Sequence, residues 1–280
     1  MIARVGGGLY VGGTGQASVT NSSISACKAE ADGGAISSND ASHVSVINST
    51  LVTNQATQHG GAVSLHSRGE SSFLGCGFEG NSALRGGAIR EKDRDGLQHI
   101  YEGLPLSNNS AITGGGAFYM DTSFNFTCTG CEYLDNQAAY GPDYATPAIG
   151  FSPTYDSSAI ISFAGLVGVS DTILSPVSVV RRDHFNQEVI DTLYGTVSAR
   201  CNSTTLGGNT ILSFDRTSPV VSFSDLLLLG RDGTIHTLSF SMDEITTEPE
   251  NIDTLLRCPD GTIQINDFAR ETTGKPPRVK

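Results

Sequence analysis

Two short motifs recur together along the first half of the chain. The first is a glycine pair followed by a small and a large apolar residue. It stands at Gly33-Gly34-Ala35-Ile36, Gly60-Gly61-Ala62-Val63, Gly86-Gly87-Ala88-Ile89 and Gly115-Gly116-Ala117-Phe118, after a looser copy at Gly7-Gly8-Leu9-Tyr10. The second motif is an asparagine with alanine two residues later, at Asn54, Asn81, Asn109 and Asn136. Both motifs keep a spacing near 27 residues, for example between residues 33 and 60 and between 54 and 81, so the sequence contains an internal repeat.

The composition of each repeat predicts a coil of short strands. Leucine-rich repeats share this length, but the fixed run of leucines that they need is missing here. Each repeat instead combines β-branched residues with Ser, Thr, Gly and Asn, which suit short strands and tight turns. A unit of this size cannot bury its apolar face alone and stacks on its neighbours. We therefore expect an all-β fold that opens with a parallel β-helix of about five coils, rising by ~4.8 Å per coil.

The repeat also predicts which side chains stack. Ile36, Val63, Ile89 and Phe118 are expected in one apolar column, and Asn54, Asn81, Asn109 and Asn136 in an amide ladder. The glycine pairs are expected at one corner of the coil. The ladder asparagines are expected at another, because Asn tolerates the left-handed conformation. A structural role for these asparagines is favoured over a binding role, since a ladder needs the same residue on every rung.

The two motifs together resemble the repeats of polymorphic outer membrane proteins over about residues 6 to 141. Phe78-Glu79-Gly80-Asn81 matches the second motif of that family fully, whereas Leu51, Leu106 and Tyr133 replace its phenylalanine elsewhere. The resemblance implies a right-handed, pectin-lyase-like β-helix, a secreted or surface-exposed location and a role in adhesion. It supplies no catalytic residues.

The distribution of glycine divides the chain, since 24 of its 33 glycines precede residue 151. We expect the repeat domain over residues 1–150, ending where Pro142 replaces the second glycine of the motif, and then a linker over 145–158. Residues 159–268 are expected to form an immunoglobulin-like β-sandwich, and 269–280 a disordered tail. The candidate strands of the sandwich are 159–167, 177–182, 196–200, 210–214, 220–229, 235–240 and 255–258.

Charge and hydrophobicity exclude some classes of partner. The net charge of −12 gives no electrostatic footprint for nucleic acid or for an anionic membrane surface. No apolar run approaches the ~18 residues of a membrane helix, so membrane insertion by this segment is not expected. Because the first repeat begins almost at residue 1, with no signal peptide before it, the sequence predicts either an intracellular protein or a piece of a longer chain. The piece is favoured, since a β-helix that starts without a cap exposes a bare coil edge.

One acidic segment fits the frame of a calcium-binding loop. Glu91, Asp93, Asp95, Gly96 and Glu102 occupy positions 1, 3, 5, 6 and 12 of that frame. Glutamate at position 1 and the absence of helical flanks favour a solvated charged loop instead. No residue is therefore predicted to bind a metal or a cofactor.

An enzyme of this architecture would need acidic residues aligned along several coils. The acidic residues here cluster in one coil, and the six histidines (43, 59, 66, 99, 184 and 236) show no spacing typical of a Ser/His/Asp site. We therefore predict no catalytic residue.

The cysteines give two weak signals. Cys128 and Cys131 have the spacing of half a zinc site, but a second pair is missing. Cys76 and Cys131 share a place in the repeat two coils apart, about 10 Å, which is too far for a disulfide. Cys201 and Cys258 could bridge the sandwich, or Cys258 could open a further module.

Five Asn-x-Ser/Thr sequons, at Asn21, Asn48, Asn108, Asn125 and Asn202, are weakly in favour of secretion. The sequence thus predicts a non-enzymatic structural or adhesive segment of a larger extracellular or cell-surface protein, with a glycan or a surface protein as its partner. The alternative is a polysaccharide-active β-helix enzyme, a uronate lyase or glycoside hydrolase with a calcium-assisted acidic site.

Overall fold

The computed structural model describes residues 3–92, 99–121, 126–155, 164–166, 169–173, 176–190, 195–201, 205–215, 217–230, 235–243 and 245–255. The chain divides into two compact units: Met1–Ala148 with Asp183–Asp191, and Ile149–Arg182 with Thr192–Lys280. Regular structure in these ranges is β-strand, and none of it is a helix long and apolar enough to cross a membrane.

The first unit is a parallel β-solenoid of about five coils, as the repeat predicts. β1 (Ala3–Val5) precedes the first coil, which contains β2 (Leu9–Val11), β3 (Gln16–Thr20), β4 (Ser23–Ser25) and β5 (Lys28–Asp32). The second contains β6 (Ile36–Asp40), β7 (His43–Ile47), β8 (Thr50–Val52) and β9 (Gln55–Ala56). The third contains β10 (Val63–Ser67), β11 (Ser72–Leu74), β12 (Gly77–Glu79) and β13 (Ser82–Ala83).

The fourth coil contains β14 (Ile89–Glu91), β15 (Ile100–Glu102), β16 (Pro105–Ser107) and β17 (Ser110–Ala111). The fifth contains β18 (Phe118–Met120), β19 (Cys128–Thr129) and β20 (Glu132–Leu134), and β21 (Tyr144–Ala145) begins a sixth. Equivalent strands of successive coils pair in parallel. Within the described part of the chain they build four sheets: β2-β6-β10-β14-β18-β21, which we call the glycine sheet, β3-β7-β11-β15-β19, β4-β8-β12-β16-β20 and β1-β5-β9-β13-β17.

The register of the glycine sheet confirms the predicted apolar column. Val63 pairs with Ile36 on one side and with Ile89 on the other, and Ile89 pairs with Phe118. All four side chains are completely buried. Burial of one such side chain is worth about 1.5 to 3 kcal/mol, so the column contributes much of the energy that holds the coils together.

The asparagine ladder is also confirmed. The Oδ1 atom of Asn81 accepts hydrogen bonds from the backbone amide of Asn54 at 2.9 Å and from its Nδ2 atom at 3.1 Å. Asn109 accepts from Asn81 in the same way, and Asn136 from Asn109. Each ladder Nδ2 also donates to a backbone carbonyl of the preceding coil.

The predicted conformation of the ladder asparagines is wrong by one residue. The positive φ angles belong to the residues immediately before them: Thr53, Gly80, Asn108 and Asp135, with φ of 52°, 62°, 54° and 51°. The left-handed residue turns the chain, and the asparagine that follows points inward to satisfy the backbone groups of the corner. Each ladder asparagine therefore lies one position after the residue that makes the turn.

The two glycines of each pair have different roles. The first adopts a positive φ, +66° at Gly33 and +63° at Gly60, which favours glycine. The second lies against the next coil, because a Cβ atom at Gly34 would be 2.1 Å from the carbonyl oxygen of Gly61. Pro142 stands at this second position after the fifth coil, and β21 is the last strand of the glycine sheet, as the sequence predicts.

A segment distant in sequence completes the C-terminal end of the solenoid. Residues 183–187, expected as a simple turn between sandwich strands, belong to the first unit. The ring of Phe185 lies 4.6 Å from that of Tyr144 and packs against the solenoid core. Asp183 accepts hydrogen bonds from the backbone amides of Phe185, Gln187 and Thr146 at 2.9, 2.9 and 3.3 Å.

The second unit is antiparallel. Its strands are β22 (Gly150–Tyr155), β23 (Ala164–Leu166), β24 (Val169–Ile173), β25 (Val177–Arg182), β26 (Thr196–Cys201), β27 (Thr205–Gly207), β28 (Ile211–Ser213), β29 (Val220–Phe223), β30 (Leu227–Gly230), β31 (Ile235–Met242) and β32 (Ile245–Leu255). In the described ranges they pair as β22-β25-β29, β23-β24-β30-β27 and β28-β26-β31-β32.

Sequence reasoning located several of these strands and missed others. The prediction of 177–182 coincides with β25, whereas 220–229 is two strands, β29 and β30. The expected linker contains β22, which pairs with β25. Cys201 ends β26 and is a free thiol, so the bridge to Cys258 is not formed. Cys258 itself and the expected tail at 269–280 lie outside the described residues.

Candidate functional site

Five polar side chains form a strip along the outer face of the glycine sheet. We call Asp32, His59, His66, Arg90 and Asp121 the polar strip. Asp32 and His59 occupy one rung position in successive coils, just before the glycine pair. The other three alternate along their strands with core residues such as Leu65 and so face outward. The stacking of the coils therefore aligns residues that are far apart in sequence.

Asp32 and His59 form the best-defined contact in the polar strip. The Nδ1 atom of His59 lies 2.8 Å from Oδ1 of Asp32, and each side chain is 18% exposed. Burial opposes the ionisation of Asp32, but the hydrogen bond and charge of His59, with the charge of Arg90, lower the pKa of this carboxyl overall. The ionised carboxylate accepts a hydrogen bond from Nδ1–H of His59 and so orients the imidazole ring.

His66 is held in its neutral form by its neighbours. Its Nε2 atom contacts Nη1 of Arg90, and because a guanidinium can only donate, Nε2 accepts and the ring proton is on Nδ1. Burial and the charge of Arg90 lower the pKa of His66 to about 4. Nε2 of His66 is 3.6 Å from Oδ2 of Asp32, but without a proton on that nitrogen the pair is not an ion pair at neutral pH.

Arg90 connects the middle of the strip to its far end. Its side chain is 5% exposed and contacts the carboxylate of Asp121 through two nitrogens, with Nε 3.3 Å from Oδ1 and Nη2 next to Oδ2. The flat guanidinium thus joins His66 to Asp121 across neighbouring coils. A bidentate contact of this kind fixes the orientation of both groups.

Both carboxylates of the strip already have strong partners. Asp121 contacts two nitrogens of Arg90, and Asp32 is bonded to His59. General acid–base catalysis needs groups that are free to exchange a proton with the substrate. Because Arg90 occupies the carboxylate of Asp121, the strip does not form an acid and base pair.

No family model, curated protein or solved structure matches this chain. The assignment of a function therefore rests on the geometry of these side chains and on the fold that positions them.

Two small side chains lie beneath the strip. Ser37 and Ser64 stack with Arg90 in one outward column of the glycine sheet. Both are buried, and no atom of the described residues forms a hydrogen bond with either Oγ. At the N-terminal end of this column Tyr10 is 51% exposed, and its hydroxyl accepts a hydrogen bond from Nδ2 of Asn39 at 3.4 Å.

The structure does not bring the two ends of the predicted calcium frame together. Glu91 lies in an inward column between Leu65 and Met120, and its Oε2 accepts a hydrogen bond from the hydroxyl of Tyr101 at 2.9 Å. Glu102 is exposed on the outside of β15. Asp93, Asp95 and Gly96 lie outside the described residues. Among those described, no group of three or more His, Cys, Asp or Glu side chains could hold a metal ion.

The carboxylate of Glu91 belongs to a polar cluster inside the solenoid. Nδ1 of the buried His99 accepts a hydrogen bond from the amide of Ser71 at 3.0 Å, so the ring proton is on Nε2, which lies 3.9 Å from Oε1 of Glu91. Burial lowers the pKa of His99 to about 4. Burial and the charge of Glu91 raise the pKa of Tyr101 well above its ordinary value. These groups stabilise the interior and are not accessible to a ligand.

A disulfide joins Cys128 and Cys131, with their Cα atoms 5.6 Å apart. Sequence reasoning considered this pair only as half of a zinc site. The signal that was missed is Gly130 between them, whose φ of +64° turns the chain so that the two cysteines meet. Gly75 and Gly103 make the same turn in earlier coils without such a pair around them.

Proposed function

We propose that this chain is a non-enzymatic structural or adhesive segment of a larger extracellular or cell-surface repeat protein. The observation that carries the proposal is the pairing within the polar strip. Arg90 is shared between His66 and Asp121, and Asp32 is bonded to His59. Groups that satisfy one another in this way hold a surface in a fixed shape, and they are poorly placed to move protons or to attack a substrate.

The fold supports a scaffold role. Parallel strands and the asparagine ladder connect every coil to the next, so side chains on the outer face are held at a fixed spacing. We further propose that the solenoid is a right-handed, pectin-lyase-like β-helix with repeats of the polymorphic outer membrane protein type. For the second unit we propose an immunoglobulin-like sandwich. A glycan or a surface protein is the partner that we expect.

A second candidate is a polysaccharide-active enzyme, and one observation favours it. The hydrogen bond between Asp32 and His59 is the arrangement of a base and the group that orients it. The polar strip also runs along several coils, as an extended sugar chain would. Against this candidate, two nitrogens of Arg90 contact Asp121, so this carboxylate is not a free second catalytic group for His59.

Binding can be tested with the full chain on a panel of immobilised neutral and uronic-acid glycans and on intact cell surfaces. Tyr10 is an exposed aromatic side chain, and Lys92 is a half-buried cation whose charge acts on His66 of the strip. Tyr10→Ala with Lys92→Ala should therefore weaken binding at least tenfold. Leu134→Ala is the matched control, because this residue is 61% exposed on a different sheet. Absence of binding, or equal loss in the control, would contradict an adhesive role for this surface.

A further inference from the structure

Three of the asparagines that carry a sequon share a conformation and an environment. Asn21, Asn48 and Asn108 are all exposed and have positive φ angles of 49°, 47° and 54°. Each stands at a corner between two strands. Asn125 and Asn202 carry the other two sequons and lie outside the described residues.

The buried asparagines of the ladder differ in one respect. Each is followed two positions later by alanine, never by serine or threonine: Ala56, Ala83, Ala111 and Ala138. Asn108 and Asn109 show the contrast within one dipeptide, since the exposed Asn108 has Ser110 at the required position and the buried Asn109 has Ala111. The sequon is therefore present at exposed corners and missing where an attached group would prevent the coils from stacking.

We infer that Asn21, Asn48 and Asn108 are sites of N-linked glycosylation. In this reaction the carboxamide Nδ2 attacks the anomeric carbon of a lipid pyrophosphate-linked oligosaccharide. The N-glycosidic bond forms as the bond between that carbon and the pyrophosphate oxygen breaks; Nδ2 loses one proton and the lipid pyrophosphate leaves. The inference rests on the proposed extracellular function, because the donor and its transferase belong to a secretory compartment.

The coil after Asn48 and the coil before Asn108 leave room for an attached sugar, and Asn21 lies on the rung of Asn48 one coil earlier. At the rung of Asn21 and Asn48 the later coils have glycine, at Gly75, Gly103 and Gly130. A Cβ atom at Gly75 would lie 2.8 Å from Oδ1 of Asn48, so the carboxamide of Asn48 extends over the bare backbone of the next coil. The rung of Asn108 likewise contains Gly80.

Equivalent positions in other coils show which substitution removes each sequon without disturbing the fold. Glycine already occupies the same rungs with φ of +61° at Gly75 and +62° at Gly80, so Asn48→Gly and Asn108→Gly keep the corner conformation. Asn21→Gly follows by the same argument. Asn209→Gly is the matched control, because Asn209 is also exposed and has no sequon.

The test is the intact mass of the full chain, fused to a signal peptide and secreted by a eukaryotic cell, before and after peptide N-glycosidase. In a background with Asn125→Gln and Asn202→Gln, treatment with the glycosidase should lower the mass of the chain. Each of the three glycine substitutions should reduce the number of attached glycans by one. Asn209→Gly should change nothing. A secreted, folded chain that the glycosidase does not alter would overturn the inference and leave the proposed function standing.

A second measurement tests the segregation of the sequons. Ala83→Ser creates a sequon at the buried Asn81, so the variant should fail to be secreted from the same cells. The matched arm expresses Ala83→Ser in bacterial cytoplasm, which lacks the transferase, and there it should unfold within a few degrees of the parent. Normal secretion of Ala83→Ser would contradict the inference.

Discussion

Asn136 donates a hydrogen bond from Nδ2 to Oδ1 of Asp143 across 3.3 Å. Every earlier amide of the ladder donates instead to the asparagine of the next coil. One N–H of each ladder carboxamide therefore points toward the C-terminal end of the ladder, where the last of these groups meets a carboxylate. Asp143 thus accepts the last hydrogen bond of the ladder in place of a further asparagine.

The ladder makes a direct prediction for Asn81. Asn81→Ala removes the acceptor of two hydrogen bonds from Asn54 and leaves buried polar groups unpaired. We expect a loss of about 1 to 3 kcal/mol in the free energy of unfolding, measured by chemical denaturation. Asn39→Ala is the control, since Asn39 is only half-buried and its one described partner is the hydroxyl of Tyr10. An unchanged midpoint for Asn81→Ala would count against the ladder.

A substitution at the C-terminal end of the ladder should lower the free energy of unfolding less than Asn81→Ala does. Asp143→Asn keeps an oxygen acceptor for Asn136 but removes the charge, so we expect a loss of about 0.5 to 1 kcal/mol. Asp143→Ala removes the acceptor as well and should cost more. The same denaturation experiment orders the two variants, and an Asp143→Asn variant as stable as the parent chain would show that the charge at this end has no role.

The close approach of successive glycine pairs predicts a contrast between two glycines of one coil. A Cβ atom at Gly61 would be 2.1 Å from the carbonyl oxygen of Gly87, whereas one at Gly77 would be 3.6 Å from Thr50. Gly61→Ala must push two coils apart and should cost at least about 3 kcal/mol or prevent folding. Gly77→Ala should be tolerated. Similar melting temperatures for the two variants would contradict the stacking described here.

The lowered pKa values of two histidines predict that the stability of the chain falls in mild acid. His66 and His99 have folded-state pKa values of about 4, below their ordinary value of 6.5. Between pH 6.5 and 4 the unfolded chain therefore binds more protons, so the stability that neutral histidine contributes is present above pH 6.5 and is lost as the pH falls toward 4. For the buried His99 this amounts to roughly 2 to 4 kcal/mol.

His99→Asn isolates the contribution of the buried ring. The asparagine oxygen can replace Nδ1 as the acceptor for the amide of Ser71, but it does not titrate in this range. The unfolding free energy of the variant, followed from pH 7 to pH 4, should decline less steeply than that of the parent chain. Identical slopes for His99→Asn and the parent would show that His99 is not the titrating group.

The parts of the fold that follow the period were predictable from the sequence. Asn54 and Asn81 repeat at one spacing, and the register places them on one ladder. The same spacing of 27 residues joins Asp32 to His59, so this pair could have been found by applying the period to polar residues. A search for histidine motifs within short segments missed it, because in a solenoid the nearest neighbours are one coil apart.

Other features do not follow the period. Arg90 contacts His66 and Asp121, which are 24 residues before it and 31 after it, because its long side chain reaches diagonally between coils. Phe185 reaches the end of the solenoid after residues 149–182, which belong to the other unit. Neither contact leaves a regular spacing in the sequence, so only the folded chain shows them.

The proposed function requires that the polar strip, whose paired groups fix the shape of the surface, has no catalytic activity. The most direct measurement is the release of unsaturated or reducing ends from polygalacturonate and alginate by the folded full chain, with and without calcium. We predict no release under either condition. Release by the parent chain that disappears in Asp32→Asn and in His59→Gln, while both variants melt like the parent, would contradict the claim and establish the enzymatic alternative.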